Sequence, residues 1–186
     1  MLSTLYLVVT GAGTARRVPD LLQQLLALRR DVIVLLTPNS QRILSPRELA
    51  LIPGHRVVES YLDDAILPTP PLGLVLIAPC DFNSLNKLAL GIADNLPLSV
   101  AAEAIGRRTP VVVGVSCNKA LWGHPRAQES VNTLRSWGCV VVDPVTDGDR
   151  MTMASTSSLT EAVRHALVAY ESEPSDQLPD DRQRQD

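Results

Sequence analysis

Two asparagines and two hydroxyl side chains follow apolar runs of this sequence and could bind an anionic ligand. Asn83 lies in APCDFNS, directly after the run LGLVLI, and Asn118 lies in VSCNKALWGHP. An amide can hold a carboxylate without itself titrating. Thr37 and Ser40, in the segment LLTPNS, offer hydroxyls that could serve a ligand. Each of these residues could instead cap a helix, so the residue types alone leave both interpretations open.

A glycine-containing turn follows the first apolar run. Thr10-Gly11-Ala12-Gly13-Thr14 stands between that run and a helical pattern. Glycines let the backbone approach a ligand closely, and the N–H groups at a helix N-terminus favour a phosphate. Arg16 occupies the position of the third glycine in the dinucleotide-binding pattern, so the turn fits either a phosphate site or a plain strand-to-helix connection.

The elements that must position these residues alternate along the chain. The apolar runs lack polar alternation, as expected for strands buried on both faces. The predicted strands are Thr4–Thr10, Val32–Thr37, Leu72–Ala78, Pro110–Val115 and Cys139–Val142. The predicted helices are Ala15–Arg30, Asn83–Gly91, Leu98–Arg107, Arg126–Gly138 and Leu159–Tyr170. This order predicts a single α/β domain, a Rossmann-like (flavodoxin-like) doubly wound parallel sheet with helices on both faces. In such a sheet the ligand lies beyond the carboxyl ends of the strands, where the polar residues occur.

Length and composition limit the function classes. The chain has 186 residues, 45% of them hydrophobic, and predicts one domain over 1–170 followed by a disordered acidic tail over 171–186. That tail carries six of the acidic residues, which leaves a nearly neutral body with no electrostatic case for nucleic acid or an anionic membrane. No apolar run is long enough to span a bilayer. Three cysteines without metal-ligand spacing predict no metal site and a reducing, cytoplasmic setting.

One segment breaks the alternation. Pro53–Pro71 contains four prolines together with His55, Asp63 and Asp64, and is predicted to be a long connection. Long connections in compact domains are often functional.

Two of these segments carry a resemblance to a known family. The chain resembles the homo-oligomeric flavin-containing cysteine decarboxylases, which include phosphopantothenoylcysteine decarboxylase and enzymes that oxidatively decarboxylate the C-terminal cysteine of ribosomal peptides. The family loop Pro-Ala-Ser-Ala-Asn-Thr is matched by PCDFNS at Pro79, Asn83 and, conservatively, Ser84. The family segment Asn-Gly-Ile-x-Asp-Asn-Leu appears as LGIADNLP, which keeps Asp94 and Asn95.

A third segment resembles the loop that clamps the substrate in that family. The family pattern Pro-x-Met-Asn-x-x-Met-Trp appears as VSCNKALW, where Asn118 and Trp122 are retained. Cys117 and Leu121 replace the two methionines.

The resemblance implies a cofactor and a set of site residues. FMN is expected, with FAD as the alternative, since the third glycine of the dinucleotide pattern is missing. The residues expected to contact the flavin are Gly11, Ala12, Gly13, Thr14, Thr37, Ser40, Pro79, Asn83, Ser84, Ala93, Asp94 and Asn95. Asn83 and Asn118 are the expected catalytic residues. The substrate is expected to contact Asn118 and Trp122, and Lys119 or Arg150 could add charge-assisted contacts to its carboxylate.

The sequence departs from the family at two positions. Counting back from Pro79 without gaps, the family's catalytic His-Ile pair falls on Ala65-Ile66. His55, Asp63 and Asp64 are candidates to replace the histidine, with His124 as a weaker one. The reducing cysteine that follows Asp-Pro in phosphopantothenoylcysteine decarboxylases is also missing, because Asp143-Pro144 is followed by VTDGDRMTMAS.

The missing cysteine favours one reaction within the family, whereas the missing histidine and the altered clamp loop support a non-catalytic role. The resemblance implies flavin-dependent oxidative decarboxylation of the C-terminal cysteine of a ribosomally made precursor peptide, which gives an enethiol. The alternatives are a non-catalytic flavin-binding or regulatory subunit and a phosphopantothenoylcysteine decarboxylase-like enzyme. The resemblance also implies self-assembly into trimers, and into a dodecamer of four trimers in the peptide-modifying branch.

Overall fold

The computed structural model describes residues 2–67, 69–70 and 72–172. Six parallel strands form one sheet in the order β3-β2-β1-β4-β5-β6. The strands are β1 (Thr4–Val9), β2 (Asp31–Leu36), β3 (His55–Val58), β4 (Gly73–Cys80), β5 (Val111–Val115) and β6 (Val140–Val142). The predicted doubly wound α/β fold is thereby confirmed.

Helices cover both faces of the sheet. They are α1 (Val18–Leu26), α2 (Pro46–Leu49), α3 (Phe82–Ala89), α4 (Leu96–Gly106), α5 (Lys119–Trp122), α6 (Pro125–Ser136) and α7 (Thr156–Ser172). Short 3-10 helices occupy Gly13–Arg17 and Ser40–Arg42.

The side chains of β1 alternate between two hydrophobic clusters. Tyr6 and Val8 pack with buried residues of α3, α4 and α6, whereas Leu5 and Leu7 pack with those of α1 and α7. This alternation follows from the two-residue period of a strand. Both faces of β1 are buried, which is why its sequence shows no polar alternation.

The sequence prediction misses β3, which lies inside the connection Pro53–Pro71. β3 is an edge strand that pairs only with β2, and three of its four residues are partly or fully exposed. A short, half-polar edge strand therefore lacks the apolar run that identifies the buried strands.

The prediction also misses α2, α5 and an antiparallel hairpin, β7 (Val145–Asp147) and β8 (Arg150–Thr152). Every residue of β7 is exposed, so no burial pattern marks it in the sequence.

The last helix runs past the predicted domain boundary. Since α7 ends at Ser172, a boundary at residue 170 lies in its last turn, and residues 173–186 of the predicted tail lie outside the described residues. None of the helices in the described ranges is both long and apolar enough to cross a membrane.

The strand order places a crevice at the middle of the sheet. β2 and β3 lie on one side of β1, and β4, β5 and β6 lie on the other. The connections after β1 and β4 therefore diverge, and ligands of such sheets bind between them at the carboxyl edge.

Candidate functional site

Thr10 joins the carboxyl ends of β1 and β4. Its backbone N–H and its Oγ1 both donate to the carbonyl of Pro79, at 3.1 and 2.9 Å, and Oγ1 accepts from the N–H of Asp81 at 2.7 Å. The peptide bond between Ala78 and Pro79 is cis. Because Thr10 is buried and fully engaged, the position of one loop fixes that of the other.

The two glycines of the first turn have different surroundings. A Cβ built on Gly11 would lie 2.6 Å from the Cβ of Asn39, so a glycine is needed where the loops after β1 and β2 meet. A Cβ on Gly13 would meet no heavy atom within 4 Å. The fold itself therefore does not require a glycine at position 13, which is exposed at the start of a short helical turn.

The hydroxyl of Thr14 lies 2.7 Å from that of Ser116, which follows β5. This contact ties the glycine turn to the next loop along the carboxyl edge. Three connections, those after β1, β4 and β5, are thus held together by hydrogen bonds.

Thr37 and Ser40 are both buried in the loop after β2. Ser40 Oγ donates to the carbonyls of Val9 and Thr37, each at 2.9 Å. Thr37 Oγ1 lies 3.4 Å from Ser40 Oγ, so both hydroxyls have partners within the loop. Thr37 Oγ1 also accepts from the backbone N–H of Ser40 at 3.4 Å, where the short 3-10 helix begins, so the hydroxyls both start this helical turn and hold the loop in shape.

Asn83 is not the cap of α3. Asp81 takes that position, since its Oδ1 accepts from the N–H of Ser84 at 2.7 Å. The Asn83 side chain makes no hydrogen bond to any described residue and is exposed. Both polar atoms of its amide are therefore free for a ligand.

Lys87, one turn after Asn83 on α3, forms an ion pair with Asp94. Asp94 Oδ1 also accepts from the side chain of Asn95 at 2.9 Å. The hydrogen bond from Lys87 lowers the pKa of Asp94, which keeps this carboxyl ionised. Asn95 in turn caps α4 by accepting from the N–H of Leu98 at 3.1 Å.

These groups line a cleft of about 160 Å³ at the carboxyl edge. Its lining residues are Thr37, Pro38, Asn39, Asp81, Asn83, Ser84, Lys87, Asp94, Asn95 and Leu98. Five of the residues expected to contact a flavin are among them, and the other five are Pro38, Asn39, Asp81, Lys87 and Leu98. Their positions follow from the loops that meet here, and no spacing in the sequence marks them. The polar lining and the unpartnered amide of Asn83 suit a polar ligand.

The loop after β5 carries the expected substrate contacts. Asn118 caps the one-turn helix α5, since its Oδ1 accepts from the N–H of Leu121 at 2.9 Å. Its amide nitrogen makes no hydrogen bond to a described residue, and neighbouring Lys119 is exposed. Trp122 is half-buried against the hydrophobic cluster of α3, α4 and α6.

Arg150 is exposed on the hairpin, and among the described residues no hydrogen bond or ion pair joins it to the other expected site residues. The hairpin is nevertheless held near the glycine turn. The guanidinium of Arg17 donates to the carbonyls of Met153 and Ala154, at 3.1 and 3.2 Å, directly after β8.

The candidates to replace the family histidine lie in different places. His55 pairs with Val32 near the start of β2, so it lies at the amino edge, away from the cleft. Asp63 is bound by Arg56 at 2.7 Å and also accepts from the N–H of Ala65. Asp64 is almost fully exposed. Only His124, which follows α5, lies on a loop of the carboxyl edge.

Comparison with known proteins places these features in a family. Residues 3–168 match the family model described as Flavoprotein. The phosphopantothenoylcysteine decarboxylase of Mus musculus is 30% identical over 142 residues, which are 72% of this chain and 69% of that protein. The coenzyme A biosynthesis bifunctional protein CoaBC of Thermococcus kodakarensis is 22% identical over 167 residues, 87% of this chain. The chain spans only 34–41% of the length of the CoaBC proteins that it matches.

Solved structures from two branches share the fold. A PPC decarboxylase mutant complexed with pantothenoylaminoethenethiol superposes with a TM-score of 0.75 and 22% identity, covering 92% of this chain and all of that one. The FMN-dependent cysteine decarboxylase SpaF gives 0.72 and 24%, over 90% and 98% of the two chains. The peptidyl-cysteine decarboxylase EpiD gives 0.69 and 21%, over 90% and 99%. At these identities the likeness establishes the fold and does not separate the branches.

Proposed function

The chain belongs to the flavoprotein family, within its flavin-containing cysteine decarboxylases, and we propose that it oxidatively decarboxylates the C-terminal cysteine of a ribosomally made peptide. The observation that supports a bound flavin is the polar cleft at the carboxyl edge, where the side-chain amide of Asn83 has no partner among the described residues. FMN is the proposed cofactor, in agreement with the FMN-dependent relatives of the same fold.

The residues that would hold FMN form two groups. The backbone of Gly13 and Thr14 would bind the phosphate, because N–H groups at a helical turn favour an anion. The polar cleft lined by Asn83, Asp94 and Asn95 would receive the ring. Thr37 and Ser40 would act mainly by holding the loop after β2, since their hydroxyls already have partners.

When bound, the flavin supplies the two-electron oxidation of the cysteine side chain that lets carbon dioxide leave. The protein must orient the carboxylate and the thiol of the substrate. Asn118 is suited to the carboxylate, since its Oδ1 is used by the cap and its amide nitrogen remains a donor. Lys119 would add a positive charge from the adjacent position, and Trp122 would close the loop over the substrate. Asn83 would position the reacting end of the substrate against the ring.

The cysteines of the chain support release of an unsaturated thiol product. The segment VTDGDRMTMAS after Asp143-Pro144 has no cysteine, Cys80 and Cys139 are buried, and Cys117 is half-buried in the loop after β5 rather than on the hairpin. Cys139 also precedes β6, at the amino edge of the sheet. Without a thiol on the hairpin to protonate the product, the reaction would end at the enethiol.

A second candidate function is decarboxylation of phosphopantothenoylcysteine. The 30% identity to the mouse phosphopantothenoylcysteine decarboxylase favours it. The missing cysteine after Asp143-Pro144 disfavours it.

The experiment offers purified, FMN-loaded protein two probes in parallel, phosphopantothenoylcysteine and a library of synthetic peptides that share a C-terminal cysteine. Mass spectrometry should show peptides that have lost carbon dioxide together with two hydrogens. The matched variants are Asn118→Asp, which should abolish turnover by repelling the carboxylate, and Asn132→Asp, an exposed asparagine on α6 that should change nothing. Conversion of phosphopantothenoylcysteine alone would support the second candidate, and flavin binding without turnover of either probe would contradict both.

We also propose that the chain assembles with copies of itself, as trimers. Three large apolar side chains near the site are exposed in the single chain, namely Leu90 at 58%, Ile92 at 42% and Leu121 at 37%. Burying them would remove apolar surface from water. Native mass spectrometry should detect trimers or multiples of three, and a monomer at all concentrations would contradict the proposal.

A further inference from the structure

His124 is held at the carboxyl edge by two contacts. Its Nδ1 accepts from the backbone N–H of Arg126 at 3.1 Å, which makes it the cap of α6. Its ring meets the ring of Phe82 edge to face, with centroids 5.5 Å apart and planes at 74°. Phe82 directly precedes Asn83, so the contact places the imidazole beside the loop that lines the cleft.

The other histidines lie elsewhere. His55 begins β3 at the amino edge, and His165 is exposed on α7, where it pairs with Glu161 at 2.9 Å. His124 is therefore the only imidazole of the chain on a loop that carries expected substrate contacts.

The cap fixes the chemistry that His124 can perform. Because Nδ1 must present its lone pair to the N–H of Arg126, the neutral ring carries its proton on Nε2. Nε2 makes no hydrogen bond to a described residue, and the side chain is exposed. A neutral Nε2–H is a donor and cannot accept a proton, so His124 is unsuited to replace the family histidine as a base. It is suited to hold an anion.

We propose that His124 is a substrate-binding residue whose Nε2–H donates to the C-terminal carboxylate of the peptide. Asn118 and His124 lie at the two ends of the single helical turn α5, so a carboxylate over this turn could contact both. This inference rests on the proposed function, since it assigns a further contact to the same substrate.

The experiment uses the FMN-loaded protein and a peptide whose last residue lacks the thiol, so that binding is measured without reaction. A synthetic peptide that ends in serine in place of cysteine is prepared as the free acid and as the C-terminal amide, and the dissociation constant of each is measured by calorimetry. The test variant is His124→Asn, because asparagine keeps an oxygen that can cap α6 while the Nε2–H is lost. The matched control is His165→Asn, and thermal unfolding checks that both variants remain folded.

The wild type and His165→Asn should prefer the acid over the amide. His124→Asn should bind the acid about tenfold more weakly or worse, as for loss of a hydrogen bond to a charged group, with unchanged affinity for the amide. If His124→Asn keeps the full preference for the acid, the inference is overturned while the proposed function stands. If the wild type binds neither form, both fail together.

Discussion

Alanine at Gly11 and alanine at Gly13 should have opposite consequences, although the residues are two positions apart. The Cβ at Gly11 would lie 2.6 Å from the Cβ of Asn39, well inside van der Waals contact. Relieving this clash separates the loops after β1 and β2, and such overpacking costs about 1–3 kcal/mol. At Gly13 the Cβ meets nothing within 4 Å, and φ lies outside the left-handed region. Gly13→Ala should therefore stabilise the apoprotein by about 0.4–1 kcal/mol, because it restricts the unfolded chain.

The substitution at Gly13 should also change the affinity for FMN. A methyl group on Gly13 would occupy the space proposed for the phosphate and displace one charge-assisted hydrogen bond or more. Each such bond is worth about 1.5–3 kcal/mol, so the dissociation constant of FMN should rise by at least about tenfold. The Gly13→Ala variant would thus be more stable than the wild type as the apoprotein and would bind FMN more weakly.

Two measurements on the same protein samples check this pair. Urea unfolding of the apoproteins gives the free energy of unfolding, and quenching of flavin fluorescence gives the dissociation constant of FMN. Wild-type affinity in Gly13→Ala would refute the assignment of the phosphate to this turn. Wild-type stability in Gly11→Ala would refute the close approach of the two loops.

Two further predictions concern the cap of α3 and the edge strand. Asp81→Ala should lower the free energy of unfolding by about 1 kcal/mol, because the N–H of Ser84 loses its cap. Asn83→Ala should leave the free energy of unfolding unchanged, because the amide has no partner in the described chain. Urea unfolding measures both variants, and equal losses would contradict the cap assignment. Burial lowers the pKa of His55 below its usual 6.5, although a backbone contact with Ile52 acts in the opposite direction. The unfolded chain then binds a proton more readily than the folded one, so stability should be full above pH 6.5 and should fall as the pH drops below it. Urea unfolding from pH 8 to 5 should show this loss for the wild type and a flatter profile for His55→Asn, and identical profiles would contradict it.

The buried part of the fold could be predicted from the sequence. The apolar runs predict five of the six strands of the sheet, because the side chains on both faces of these strands are apolar; they are β1, β2, β4, β5 and β6. β3 and the hairpin β7–β8 were missed because exposed strands carry no such run. Their existence depends on pairing with a neighbour, which a local pattern does not record.

The candidate site could likewise be predicted only in part. The sequence left open whether Asn83 and Asn118 are caps or ligands, and the structure separates them. Asp81 caps α3 and leaves Asn83 free, whereas Asn118 caps α5 and keeps only its amide nitrogen. Lys87 is not among the expected contacts, and no local pattern shows that the segment after α3 brings Asp94 to its ammonium group.

The most direct test of the proposed function is an anaerobic single turnover with a peptide that ends in cysteine. Oxidative decarboxylation removes two electrons from each substrate molecule, and without oxygen these electrons remain in the protein. The flavin absorbance should therefore bleach in proportion to the carbon dioxide released, and the peptide should have lost carbon dioxide and two hydrogens. Release of carbon dioxide with the flavin still oxidised at the end, and with only carbon dioxide lost from the substrate, would contradict the account.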